Sequence, residues 1–184
     1  MKKLYTARVG YNIISVIFYL TALLYLLFPN VPPLIACLFS GGTLIAYGII
    51  KIIGYFSEDL YCLAFRYDFA FGLLLLAIGA VVLIRHEAAA RYLSPGFGWL
   101  LLLDSFFKIQ MSEEAKKFGL KQWNLITAAA VVTCVIAFLL ILRGFPGPEA
   151  TRVLTALALL SEGGMNHCVV KFTVKKQDAP PTCK

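Results

Sequence analysis

The stretch VGYNIISVIFYLTALLYLLFPNVPPLIACLFSGGTLIAYGII, residues 9–50, runs for 42 positions without a charged side chain. One bilayer crossing needs about 20 apolar residues, so this stretch is long enough for two. The cluster Pro29, Asn30, Val31, Pro32 and Pro33 divides it, because proline removes amide donors and stops helices. The pattern lacks two-residue alternation, and lipid offers no partners for free backbone amides, so helices are preferred over a barrel. The reading is a hairpin of two spanning helices.

The rest of the chain continues in the same manner. Hydrophobic residues make up 60% of it and the mean hydropathy is +0.79, beyond the roughly half-apolar composition of soluble domains. Residues 122–142 are uncharged and long enough to cross, and residues 69–84 are apolar but short. A fourth segment, 92–109, carries Asp104 and Lys108, and a sixth, 151–174, carries Arg152, Glu162 and Lys171.

An internal repeat makes these weaker segments spans as well. Tyr11-Asn12 recurs as Tyr67-Asp68 and as Trp123-Asn124, each pair 56 residues after the last. Lys51, Lys108 and Asn166 lie 57 and 58 residues apart, each three residues after Gly48, Ser105 or Gly163. The same register aligns Tyr47-Gly48, Asp104-Ser105 and Glu162-Gly163. A period of this size marks a supersecondary unit used several times. The expected fold is an all-α membrane protein with six transmembrane helices, formed by three parallel helical-hairpin repeats of about 57 residues. The units are 9–56, 65–112 and 121–174, within a single domain 1–174 followed by a disordered tail, 175–184.

Charge placement predicts the orientation. With six spans, 13 of the 17 Lys and Arg residues fall on the side that holds both termini, and Arg85, Arg91, Arg143 and Arg152 fall on the other. By the positive-inside rule both termini are cytoplasmic. The net charge of +7 then reflects topology and anionic headgroups, and the expected partner is the lipid bilayer, with no nucleic acid.

The polar residues at the cytoplasmic ends are the candidates for function: Asn12, Lys51, Asp68, Asp104, Lys108, Asn124, Glu162 and Asn166. Asn12, Asp68 and Asn124 are expected at one depth, beside rings of an interfacial aromatic belt. Asp104 and Glu162 stand apart. If Lys108 marks the interface, Asp104 lies four residues deeper, about 6 Å at 1.5 Å per residue. A carboxylate there favours protonation unless it is paired, and Lys108 at i+4 can pair it. Glu162 has Asn166 at i+4 instead. An acid inside a membrane is a functional candidate by default, and a structural hydrogen bond to Asn12, Asn124 or Lys51 explains it equally well.

Small residues predict where helices approach. Gly42 with Ala46, then Gly72, Gly79 and Ala80, then residues 128–130, offer close contact, and the position shared by Gly48, Ser105 and Gly163 is expected to face a neighbouring helix. The polar stretch SEEAKKFGLK, residues 112–121, reads as a solvated loop with a short helical turn. Cys37, Cys62, Cys134, Cys168 and Cys183 form no C-x-x-C pattern, and His86 and His167 fall on opposite predicted sides, so no metal and no cofactor is expected.

The threefold hairpin, the G-x-x-K of residues 48–51, and LLLDSFFKIQ followed by a charged loop and KQWNLI resemble the HdeD-like membrane proteins. These are small bacterial six-helix proteins built from a short repeat of unknown function and associated with acid resistance. The likeness spans roughly residues 10–170 and is strongest over 96–123. It implies a non-enzymatic protein of the bacterial cytoplasmic membrane that supports acid or envelope stress resistance, and it brings no catalytic residues. No H-E-x-x-H, phosphate loop or G-x-S-x-G is present, so no enzyme is expected. The alternative expectation is a small proton-linked transporter or channel acting as a homo-oligomer.

Overall fold

The computed structural model describes residues 2–28, 32–56, 68–117, 119, 122–142 and 148–173. Within them the chain forms six helices: α1 (Lys2–Leu27), α2 (Pro33–Tyr55), α3 (Asp68–Ile84), α4 (His86–Lys117), α5 (Trp123–Leu142) and α6 (Pro148–Thr173). Pro33 and Pro148 open α2 and α6, where the missing amide would have had no helical partner and the fixed φ is already helical. The expected break between the first two helices agrees with α1 ending at Leu27 and α2 beginning at Pro33, and residues 29–31 lie outside the described residues. Tyr67, Cys62, Cys183 and the tail 175–184 lie outside the described residues.

Four helices contain segments long and apolar enough to cross a membrane: Thr6–Leu27, Pro33–Tyr55, Trp123–Leu142 and Glu149–Lys171. The third, α3, is apolar but has 17 residues, about 26 Å of helix. The fourth runs longer than expected, through 32 residues, or about 48 Å. It absorbs most of the stretch read as a loop. Ser112 and Ala115 are fully buried there, and Ala115 packs with Met111, Ile126 and Val169. The charged residues of 112–117 had masked an inward-facing stripe, at positions 108, 111, 112 and 115, with helical spacing.

Each helix packs on the next in chain order, and α6 returns to lie against α1. The most extensive contacts join α2 to α3, α4 to α5 and α6 to α1. Glycines make these approaches close. A Cβ on Gly48 would sit 2.7 Å from the Gly72 carbonyl oxygen, and one on Gly72 would sit 2.8 Å from that of Gly48. Gly163 abuts the Tyr19 ring and the Ser15 backbone of α1, and Gly98 abuts Ala137 of α5. Gly48 and Gly163 therefore face a neighbouring helix as expected, and Ser105 is fully buried. Gly42 is a correction: it is exposed, with open space around it, and Gly41, the residue before it, makes the contact with α3.

The distribution of polarity is inverted relative to a soluble protein. Leu73, Val135 and Leu20 are more than half exposed, whereas Lys51, Asp104 and Glu162 are 1–2% exposed. Water would favour the reverse, while hydrocarbon outside the bundle makes the arrangement sensible.

Candidate functional site

Eight side chains from five helices meet in the middle of this bundle. Their identity follows from the repeat register. Tyr47 and Lys51 stand one turn apart on α2, Asp104 and Lys108 one turn apart on α4, and Glu162 and Asn166 one turn apart on α6. An i,i+4 spacing places both members of each pair on one face of their helix, and all six side chains are buried. Asp68, the first residue of α3, and Tyr11 of α1 complete the set.

Lys51 lies between two carboxylates. Its ammonium is 2.8 Å from Asp68 Oδ1 and 3.1 Å from Asp104 Oδ1. The Tyr47, Phe71 and Tyr11 ring centroids stand 4.9, 5.1 and 5.6 Å from its Nζ, so π-faces stabilise the cation on its remaining sides. Tyr11 donates a hydrogen bond to Asp68 Oδ2. Lys108 forms a close ion pair with Asp104 Oδ2, and its Nζ is 3.0 Å from Glu162 Oε1 and 2.7 Å from Asn166 Oδ1. The Tyr47 hydroxyl is 2.9 Å from Glu162 Oε1 and 3.0 Å from Asn166 Oδ1, and Asn166 Nδ2 donates to Glu162 Oε1 at 3.0 Å.

Each charge thus has partners, as a buried ion must if its desolvation is to be offset. Two oxygens are less well served. Glu162 Oε2 is buried with no hydrogen-bond donor, and Asp104 Oδ2 has only its ion pair with Lys108.

The structure gathers six of the eight candidates: Lys51, Asp68, Asp104, Lys108, Glu162 and Asn166. Asn12 and Asn124 stay out. Asn12 is half-buried and Asn124 exposed, and among the described residues no hydrogen bond or ion pair ties either to the cluster. On α1 the inward position belongs to Tyr11, and the next residue is turned about 100° away. Asn124 belongs to α5, which among the described helices packs on α4 and α6. The partners anticipated for Asp104 and Glu162 are corrected accordingly: Lys51 is one, Asn12 and Asn124 are not. Lys108 and Lys51 are interior cations and not interface markers, with 6% and 2% exposure.

Tyr11 is a second correction, since it is buried in the core and not placed in an interfacial belt. Trp123 is partly buried against Met111 and Ile126, with Lys116 Nζ 4.5 Å from its ring centroid. Tyr47 was missed as a site residue. The signal was present in its alignment with Asp104 and Glu162. Replacing Tyr11 by Phe should leave Asp68 short of a donor and cost about 1–3 kcal/mol, read as a lowered unfolding midpoint in detergent with the fold retained.

One helical turn from the cluster lies a cavity of about 30 Å³, reached from Leu44 and Leu159, which precede Tyr47 and Glu162 by three residues. Hydroxyls of Thr21, Ser40, Thr43, Ser94 and Thr155 line it, giving space and polar partners for a water molecule. Phe18 separates cavity and cluster, its ring edge-on to that of Tyr47 at 5.4 Å. Among the described residues no group of three His, Cys, Asp or Glu side chains has a metal-binding arrangement.

The class defined so far is an all-helical protein with apolar, membrane-type helices, an internal repeat and a buried ionic centre. The chain belongs to the DUF308 family, the short repeat of unknown function, whose pattern matches it twice, over residues 13–84 and 70–142. The two matches begin 57 residues apart, at 13 and 70, within the 56 to 58 residues read from the aromatic, lysine and asparagine positions. No curated protein and no solved structure matches the chain.

Proposed function

We propose that this chain is a non-enzymatic integral membrane protein of the HdeD-like type that supports survival under acid or envelope stress. Its six helices cross the bacterial cytoplasmic membrane as three parallel hairpin copies, with both termini in the cytoplasm. The observation that carries this reading is the meeting of Tyr47/Lys51, Asp104/Lys108 and Glu162/Asn166, equivalent positions of successive repeats, in one buried ionic centre. Three copies in the same orientation bring equivalent positions to one depth. A centre of this kind links five helices by charge, so its protonation state bears on how the bundle holds together.

The experiment is acid survival of a strain lacking the gene, complemented by the wild-type chain or by Lys108→Met. The expected result is loss of survival on deletion and restoration by the wild type alone. Equal survival of the deleted and intact strains would remove the stress role.

A second reading, a proton-linked transporter or channel acting as a homo-oligomer, is favoured by the hydroxyl-lined cavity one turn from Glu162. Proton flux into proteoliposomes tests it. The transport reading expects flux with the wild type and loss with Glu162→Gln; flux no faster than in protein-free vesicles would end it.

A further inference from the structure

The ionic centre carries an odd count of charges. Two ammonium groups, Lys51 and Lys108, face three carboxyl groups, Asp68, Asp104 and Glu162. Among the described residues the other polar groups turned toward it are neutral: Tyr11 from α1, Tyr47 from α2 and Asn166 from α6. From α5, the nearest polar side chains form their own pairs, Thr127 with Ser112 and Thr133 with Ser161. His167 and Lys171 of α6 are exposed. If all three carboxyls were ionised, the centre would hold one uncompensated negative charge away from water, a costly arrangement.

The unpartnered atoms say where the imbalance sits. Asp104 Oδ2 and Glu162 Oε1 share the Lys108 ammonium; Glu162 Oε2 is buried with no hydrogen-bond donor, and Asp104 Oδ2 has that ion pair alone. Two ionised carboxylates are acceptors only and cannot bond to each other. A single proton between them supplies the missing donor, satisfies both oxygens and brings the centre to neutrality, as in other paired carboxyl groups.

We propose that Asp104 and Glu162 form a proton-binding site that holds one proton between their side chains at neutral pH, with Lys108 and Tyr47 fixing its geometry. The site goes beyond the stress and transport readings, and it rests only on the centre being shielded from water. Its stoichiometry is set by charge parity: the number of bound protons equals the number of carboxyl groups minus the number of ammonium groups.

Infrared spectroscopy of the full chain in lipid nanodiscs at pH 7 tests this through the C=O stretch of protonated carboxyl groups. The expected wild-type result is one such band from the centre, shifted when glutamate or aspartate is ¹³C-labelled. Glu162→Gln, Asp104→Asn and Asp68→Asn each leave two carboxylates against two lysines, so each should lose the band. Lys51→Met leaves three against one and should double its intensity. A wild-type chain with no protonated-carboxyl band overturns the proposal, as does a band that persists in both Glu162→Gln and Asp104→Asn. Should a variant fail to fold, the isotope shift in the wild-type chain decides alone: a band insensitive to both labels counts against the site. Because none of these readouts depends on flux or survival, the transport and stress readings can fail while the proton site stands.

Discussion

Replacing Lys51 by Met should destabilise the bundle by about 3–5 kcal/mol, the cost of removing one partner from a buried ion pair. The ammonium joins Asp68 on α3 to Asp104 on α4 and lies among three aromatic rings. Methionine fills much of the space and keeps the apolar contacts. It leaves Asp68 without its cation and Asp104 with Lys108 alone, however, and protonation of Asp68 sets the lower end of the range. A second change, Asp68→Asn, removes the orphaned charge and should restore part of the loss. Reversible unfolding in mixed micelles measures both. A Lys51→Met chain as stable as the wild type would mean that the ion pairs contribute nothing to holding α2, α3 and α4 together.

The other large effect concerns backbone approach. Gly48→Leu should separate α2 from α3, because its Cβ would meet the Gly72 carbonyl oxygen at 2.7 Å and Leu76 Cγ at 3.0 Å. A carbonyl on a facing helix cannot rotate away as a side chain can. The expected cost is about 3 kcal/mol or more, at or above the upper end for overpacking. The displacement would also pull Lys51, three residues along α2, from Asp68. Gly42→Leu is the control: no atom lies within 4 Å of the added Cβ, and stability should be unchanged. Equal effects at the two glycines would show that α2 and α3 are not in contact where the bundle places them.

These two cases show what could be read beforehand. The helices of the first hairpin were legible because 42 uncharged residues with a proline cluster in the middle admit few alternatives. The central residues were legible through the repeat, since Lys51, Lys108 and Asn166 share one position, and Tyr47, Asp104 and Glu162 share another. Side-chain direction was not. Tyr11 and Asn12 are adjacent in sequence, and only packing against α2 and α6 decides that the ring turns inward and the amide does not. The same limit moved the contact from Gly42 to Gly41. The length of α4 was obscured by charge, because Glu113, Lys116 and Lys117 occupy the outer face of a helix whose inner face, at Ser112 and Ala115, is closed against its neighbours.

Lysines and carboxyl groups from separate repeats touch inside a bundle whose outer surface is apolar. Solid-state NMR on the chain in lipid bilayers tests it directly, by the dipolar coupling between lysine ¹⁵Nζ and glutamate ¹³Cδ. With Lys108 Nζ 3.0 Å from Glu162 Oε1, the predicted nitrogen-to-carbon distance is about 4 Å or less, the geometry of a charge-assisted hydrogen bond. The corresponding dephasing should disappear in Glu162→Gln. Wild-type dephasing identical to that of the Glu162→Gln chain would contradict the account, because it would place the two groups apart in the membrane.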